Sequence, residues 1–273
     1  MIIELEWRQM LKSLVIWTII FTLVIWGFSA IYPQMHTSAF SELVNGKVDS
    51  LSPALLKTFN IEGSGIASFT TAIGFFAYYF QYLFLAACCF VLLNSTQELI
   101  KEESDGTIEF LYALPITRSE IFVKKVGLVL VNSALFWLIA FLNALGATVW
   151  FKATSDHTNQ IIQKLSLIFG QELVVLWLLI SIGFFLSSWL KSNRQSIGIS
   201  LGIVFGIYLI GILSALTDTF AWLENWSFIH RTLPSKLITD SLSIYYSIGL
   251  VGLGALFLLG GYARYTKKDL VNK

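Results

Sequence analysis

The sequence predicts an all-α integral membrane protein with six transmembrane helices. Two observations carry this. Hydrophobic residues make up 56% of the chain and charged residues 13%, with a mean hydropathy of +0.72. Soluble domains run at about 45–50% apolar and 25% charged. The apolar residues also gather into six runs without Asp, Glu, Lys or Arg, at 13–32, 66–93, 126–151, 173–190, 196–217 and 242–263. A spanning helix needs about 20 mostly apolar residues. The fourth run belongs to a span of about 167–190, which puts Glu172 at that span's outer edge. Helices satisfy their own backbone hydrogen bonds in lipid, and runs this long do not fit the short alternating strands of a membrane barrel. The first run exceeds the roughly 7–15-residue core of a cleaved signal, so it reads as a retained helix. One transmembrane domain, 1–273, takes up nearly everything and leaves no room for a sizeable soluble domain.

Six spans put both termini on one side. That side would hold Arg8, Lys12, Lys101, Arg118, Lys124, Lys125, Lys191, Arg194, Arg264, Lys267, Lys268 and Lys273. The other would hold Lys47, Lys57, Lys152, Lys164, Arg231 and Lys236, over longer loops. Twelve against six predicts cytoplasmic termini, with residues 102–125 on the same side. Outside, Ser52-Pro53 reads as a cap and first-turn proline of a short amphipathic helix. The last outer loop, 218–240, carries Phe220, Trp222, Trp226 and Phe228. Such rings favour the membrane–water interface. They fit either plain anchoring or short helices that dip back to cap an export path.

Between the second and third runs lies EESDGTIEFLYALPITRSEIFVKK, residues 102–125. Asp105 can cap a short helix through Ile108, Phe110, Leu111 and Leu114. Pro115 ends it, because the residue before a proline avoids the α region. Thr117-Arg118-Ser119-Glu120 is a capping box, opening a second helix that runs through Lys124 and Lys125 into the third span. A push on the short helix would pass to that span. The plainer alternative is a solvated, capped loop.

Other constellations carry less. Gly198, Gly202 and Gly206 repeat at four-residue spacing in the fifth run, with Gly211 beyond. Small residues at this spacing let helix backbones approach closely, within one subunit or, the preferred reading, between two. Gly198 to Gly202 also matches the G-x-S-x-G pattern of serine hydrolases. A serine nucleophile needs a base in reach, and His36, His157 and His230 all lie outside the runs. The glycine stripe explains the pattern more simply. Adjacent Cys88 and Cys89 form no metal or redox motif and read as packing residues. Gln81, Asn132 and Asn143 either join helices or line a path. No catalytic or metal site is expected, and no phosphate loop G-x-x-x-x-G-K-[ST] occurs.

The 102–125 segment resembles the signature of ABC-2 type permeases, the membrane subunits of one class of ATP-binding-cassette transporters. The resemblance rests on Glu102, Glu103, Gly106, Thr107, Glu109, Leu111, Pro115, Thr117, Arg118 and Lys124 or Lys125, with weaker matches at Tyr32-Pro33 and Pro53-ALLK. It implies a type V exporter-like fold with a short cytoplasmic coupling helix, about 107–114, seated in a groove of a separate ATPase. The coupling residues would be Glu102, Glu103, Asp105, Gly106, Thr107, Ile108, Glu109, Leu111, Leu114, Pro115 and Arg118. Two ATPase subunits, which hold ATP and Mg, would join two permease subunits in a homodimer or heterodimer; this chain would bind no cofactor. With lipid around it and no nucleic acid, it would form the path for export of a drug, an antimicrobial peptide or a lipid-like substrate from the cytoplasm. The alternatives are a subunit of an ion-extruding ABC pump and a non-transporting anchor or sensor for an ATPase.

Overall fold

The computed structural model describes residues 2–35, 68–104, 106, 117–216 and 218–267. Every regular element among them is a helix: α1 (Ile2–Ser29), α2 (Tyr32–Met35), α3 (Ala72–Gln97), α4 (Lys101–Ser104), α5 (Arg118–Phe151), α6 (Thr158–Ser187), α7 (Asn193–Leu216), a 3₁₀ helix (Asp218–Asn225), α8 (Phe228–Arg231), α9 (Pro234–Thr239) and α10 (Ile244–Lys267). Six segments, Glu6–Gln34, Ala72–Gln97, Arg118–Phe151, Thr158–Ser187, Asn193–Leu216 and Ile244–Lys267, are long and apolar enough to cross a membrane. The expected six-span, all-α architecture is therefore present. Ile2, Gln97, Arg118, Ser187, Asn193 and Lys267 share one end of the bundle, here the basic end.

All the spanning helices but α3 outrun the charge-free stretches that predicted them. At about 1.5 Å per residue, the 34 residues of α5 reach about 50 Å, beyond a hydrocarbon layer of about 30 Å. Its polar first turns, with Arg118, Glu120, Lys124 and Lys125, project at the basic end. Likewise α6 starts at Thr158, because its polar first turns simply continue the helix. Glu172 then falls at the middle of α6 and is fully buried. The expectation that it sits at the outer edge of its span is corrected by that early start.

α3 and α6 form the centre. α6 packs against α3, α5 and α10, while α1 leans on α5 and α7 on α3. Their shared core is aromatic: Phe80 and Trp137 lie 5.0 and 4.8 Å from Phe169 between ring centroids, and the Trp137 indole donates to the Phe169 carbonyl at 3.0 Å. Close approach comes at Gly211, named from sequence beyond the stripe, and at glycines the sequence reading passed over. A Cβ on Gly183 would run into Ser95 of α3, and one on Gly254 would stand 2.6 Å from Trp177 Nε1. The outer faces of α1, α7 and α10 remain apolar and exposed, with Leu23, Leu209 and Leu256 among them. After α7, α8 and α9 bury Ile229, Leu237 and Ile238 against the bundle and leave Trp222 and Trp226 exposed. Short helices thus form in that loop, with its two tryptophans left exposed.

Candidate functional site

At the basic end α3 runs out at Gln97. The Leu99 amide donates to Ser187 Oγ at 3.0 Å, which ties the chain to the end of α6. One turn later α4 begins, and Gly106 follows with φ +69°, a left-handed conformation that glycine adopts without a Cβ penalty. The capping box predicted for α5 is formed in full. Thr117 Oγ1 accepts from the Glu120 amide at 3.3 Å, and Glu120 Oε2 accepts from the Thr117 amide at 3.2 Å.

Two turns into α5 sits Lys125, whose side chain is 2% exposed. Its ammonium donates to Glu102 Oε1 at 2.5 Å and to the Glu98 carbonyl at 2.6 Å. It lies 3.2 Å from Glu6 Oε1 and 3.8 Å from Glu98 Oε1. Lys101 lies 2.8 Å from Glu98 Oε1 and 3.7 Å from Glu6 Oε1. Residues from α1, the end of α3, α4 and α5 thus meet in one buried cluster of two lysines and three glutamates. Burial pushes the Glu98 carboxyl above the usual carboxylate range, against the pull of Lys125 and Lys101 and with help from Glu6. Burial works against the Lys101 ammonium, but Glu98 and Glu6 outweigh it and hold its pKa above the usual lysine value.

Of the coupling residues expected from sequence, Glu102, Glu103, Gly106 and Arg118 are described. Glu102 turns inward to Lys125, not outward. Glu103 and Arg118 are half-buried, and Gly106 is exposed. Asp105, Thr107, Ile108, Glu109, Leu111, Leu114 and Pro115, with the expected helix at 107–114, lie outside the described residues. Sequence reasoning missed Glu6, Glu98 and the hub role of Lys125. The only signal was that charges flank the apolar runs at one end.

The other candidates fall into place on geometry. A Cβ on Gly198, Gly202 or Gly206 would meet nothing within 4 Å, so the stripe looks away from its own subunit. Neighbouring Ile197, Ile199, Phe205, Leu209 and Leu213 are exposed with it. Ser200, by contrast, is buried and donates to Thr96 Oγ1 on α3 at 3.1 Å, an interhelical hydrogen bond. Asn143 accepts from the Trp26 indole at 3.0 Å, which joins α5 to α1. Cys88 and Cys89 are free and buried. Near the Trp137–Phe169 contact, one turn toward the basic end, come Ser133 on α5 and Glu172 on α6. The Ser133 hydroxyl, both Glu172 carboxylate oxygens and the Asn132 amide are buried without a hydrogen-bond partner. Among the described residues no group of His, Cys, Asp and Glu is arranged to hold a metal.

The family model described as ABC-2 family transporter protein matches residues 1–270. No curated protein matches the chain. Members of this family are non-catalytic membrane subunits that work with an ABC ATPase. With a match over almost the whole chain and a bundle of six membrane-spanning helices, this protein belongs to the ABC-2 transporter family as a multi-pass permease subunit.

Proposed function

We propose that this chain forms the translocation path of an ATP-driven exporter in the cytoplasmic membrane. Both termini and residues 102–125 face the cytoplasm. Two copies of a separate ATPase, which hold ATP and Mg, drive two permease subunits, and segment 107–114 seats in the ATPase groove. The exposed glycine face of α7 is the contact with the second permease subunit, whether identical or related. The cargo is apolar or amphipathic. A half-open groove of about 470 Å³ between α1 and α3, lined by Phe28, Phe75, Tyr78 and Tyr82 among others, suits such a molecule.

One observation carries the coupling role. The polar segment is built into the bundle at both margins: through Glu102 on Lys125 before it, and through the capping box of Thr117 and Glu120 after it. A solvated, capped loop accounts for the box but not for the inward Glu102, which carries the reading. The test is co-purification of the tagged chain with a partner ABC ATPase. Leu111→Asp puts a charge into the apolar part of the contact and should weaken capture about thirtyfold, the equivalent of losing about 2 kcal/mol at a hot spot. Capture of a fully active ATPase by Leu111→Asp would remove the coupling role.

A further inference from the structure

We propose that the end of the bundle opposite the basic one binds the headgroup of a phospholipid, of the zwitterionic class that joins a phosphate to a primary ammonium, as in phosphatidylethanolamine. This goes beyond the exporter reading and does not depend on it. A cleft of about 310 Å³ opens where the end of α7, the 3₁₀ helix, α8, α9 and the approach to α10 meet, lined by Ser214, Glu224, Arg231, Lys236, Asp240 and Leu242 among others. Its charges balance, two basic against two acidic, but they are not all spent on each other. Lys236 lies 3.2 Å from Glu224 Oε1 and 3.2 Å from His230 Nδ1. Arg231 has neutral partners: its Nη1 donates to Asn225 Oδ1 at 2.5 Å, and its guanidinium lies over the Tyr246 ring at 4.6 Å. These contacts aim the guanidinium without bringing a carboxylate into ion-pair reach among the described residues. Asp240 ends α9, and its amide donates to the Lys236 carbonyl at 2.9 Å. Its side chain is exposed and makes no ion pair among the described residues.

The two unspent charges select the ligand. A guanidinium binds phosphate oxygens through paired N–H donors, and the Asp240 carboxylate can accept from an ammonium. A zwitterion satisfies both and leaves the cleft neutral, whereas an anionic headgroup would meet Glu224 and Asp240 with like charge. A primary ammonium is preferred to a quaternary one for two reasons. Only the primary one has N–H groups to donate to Asp240. The ring face on which a quaternary ammonium would rest, that of Tyr246, is already covered by Arg231. Position selects a lipid over a free solute. The cleft lies where two spanning helices end, at Leu216 of α7 and Ile244 of α10. Its lining residues are flanked in sequence by exposed Phe220, Trp222 and Trp226, rings that favour the headgroup level. Exposed Leu213, Ile244 and Ile248 continue the surface along α7 and α10, where acyl chains would lie.

The experiment uses the full chain in bilayers of equal parts phosphatidylethanolamine, phosphatidylcholine and phosphatidylglycerol with the same acyl chains. After mild detergent extraction, native mass spectrometry identifies the lipid retained. Wild type should keep phosphatidylethanolamine about tenfold over either competitor, as expected for one charge-assisted hydrogen bond. Asp240→Asn should lose that preference. Arg231→Gln should lower retention of phosphatidylethanolamine about tenfold, with Arg231→Lys restoring part of it. Asp240 is exposed, so its variant tests the site even if Arg231→Gln fails to fold. Lys267→Gln, at the basic end, should leave the lipid profile as it is. Equal retention of the three lipids by wild type, a wild-type profile in Asp240→Asn, or an equal loss in Lys267→Gln would overturn the site. Excess glycerophosphoethanolamine, the same headgroup without chains, should not displace the bound lipid; displacement would overturn a lipid as the occupant.

Discussion

Gly202→Leu separates the two surfaces that α7 presents. Within the subunit the substitution is free of collisions, since a Cβ at 202 meets nothing within 4 Å. Replacing a helical glycine gains about 1 kcal/mol in helix propensity, so the isolated subunit should be as stable or slightly more so. Gly211, on the same helix, is the control. A Cβ there would run into the His230 side chain and Ser227 Oγ, and Ser227 is already committed to the Ile207 carbonyl at 2.7 Å. Overpacking of this kind costs about 1–3 kcal/mol, which exceeds the propensity gain, so Gly211→Ala should destabilise. At a subunit contact the balance for Gly202→Leu reverses. A two-fold interface counts the added side chain twice, for a loss of about 2–6 kcal/mol, at least about thirtyfold in dimer affinity. The assays are thermal unfolding in detergent for the subunit, and cysteine cross-linking along α7 in membranes for the dimer. An unchanged dimer, or a Gly202→Leu subunit that unfolds as early as Gly211→Ala, would refute the assignment of this face.

Single cysteines at Ser104 and Ser192, with Cys88 and Cys89 replaced, should resist an impermeant thiol reagent in intact cells while one at Thr154 reacts; labelling of Ser104 from outside would overturn the orientation. Glu172→Leu should raise subunit stability by about 1–3 kcal/mol, because it removes two buried oxygens that have no hydrogen-bond partner; a lower unfolding temperature would mean that the carboxylate is held by something else. Acid should favour the folded state through Glu98 itself. Its folded pKa is raised, mainly by burial, so its contribution to stability is complete below the unfolded value of about 4.3 and is lost as pH rises through the folded value. The unfolding temperature of wild type should therefore gain on that of Glu98→Gln as pH falls toward that value, and a parallel pH profile for the two would contradict the direction.

The six spans were legible in the sequence because lipid imposes a one-dimensional rule: a helix that must hide its backbone in hydrocarbon announces itself as a long run without charge. The capping box at Thr117 and Glu120 was legible for a related reason, since a cap joins residues three apart and needs nothing from the rest of the fold. Tertiary structure decided the rest. The glycines at 198, 202 and 254 are alike in sequence; only the position of Trp177 makes the last a close contact and leaves the other two open. Glu172 moved from a helix end to a helix middle because its helix begins in polar residues that apolar-run counting omits. From sequence Glu102 stood only among the coupling residues, and Glu6 and Glu98 were missed. They became partners of Lys125 only when α1, α3 and α5 packed together. A charge in a sequence carries no address: its partner is chosen by which helix ends meet in space, and burial then compels the pairing.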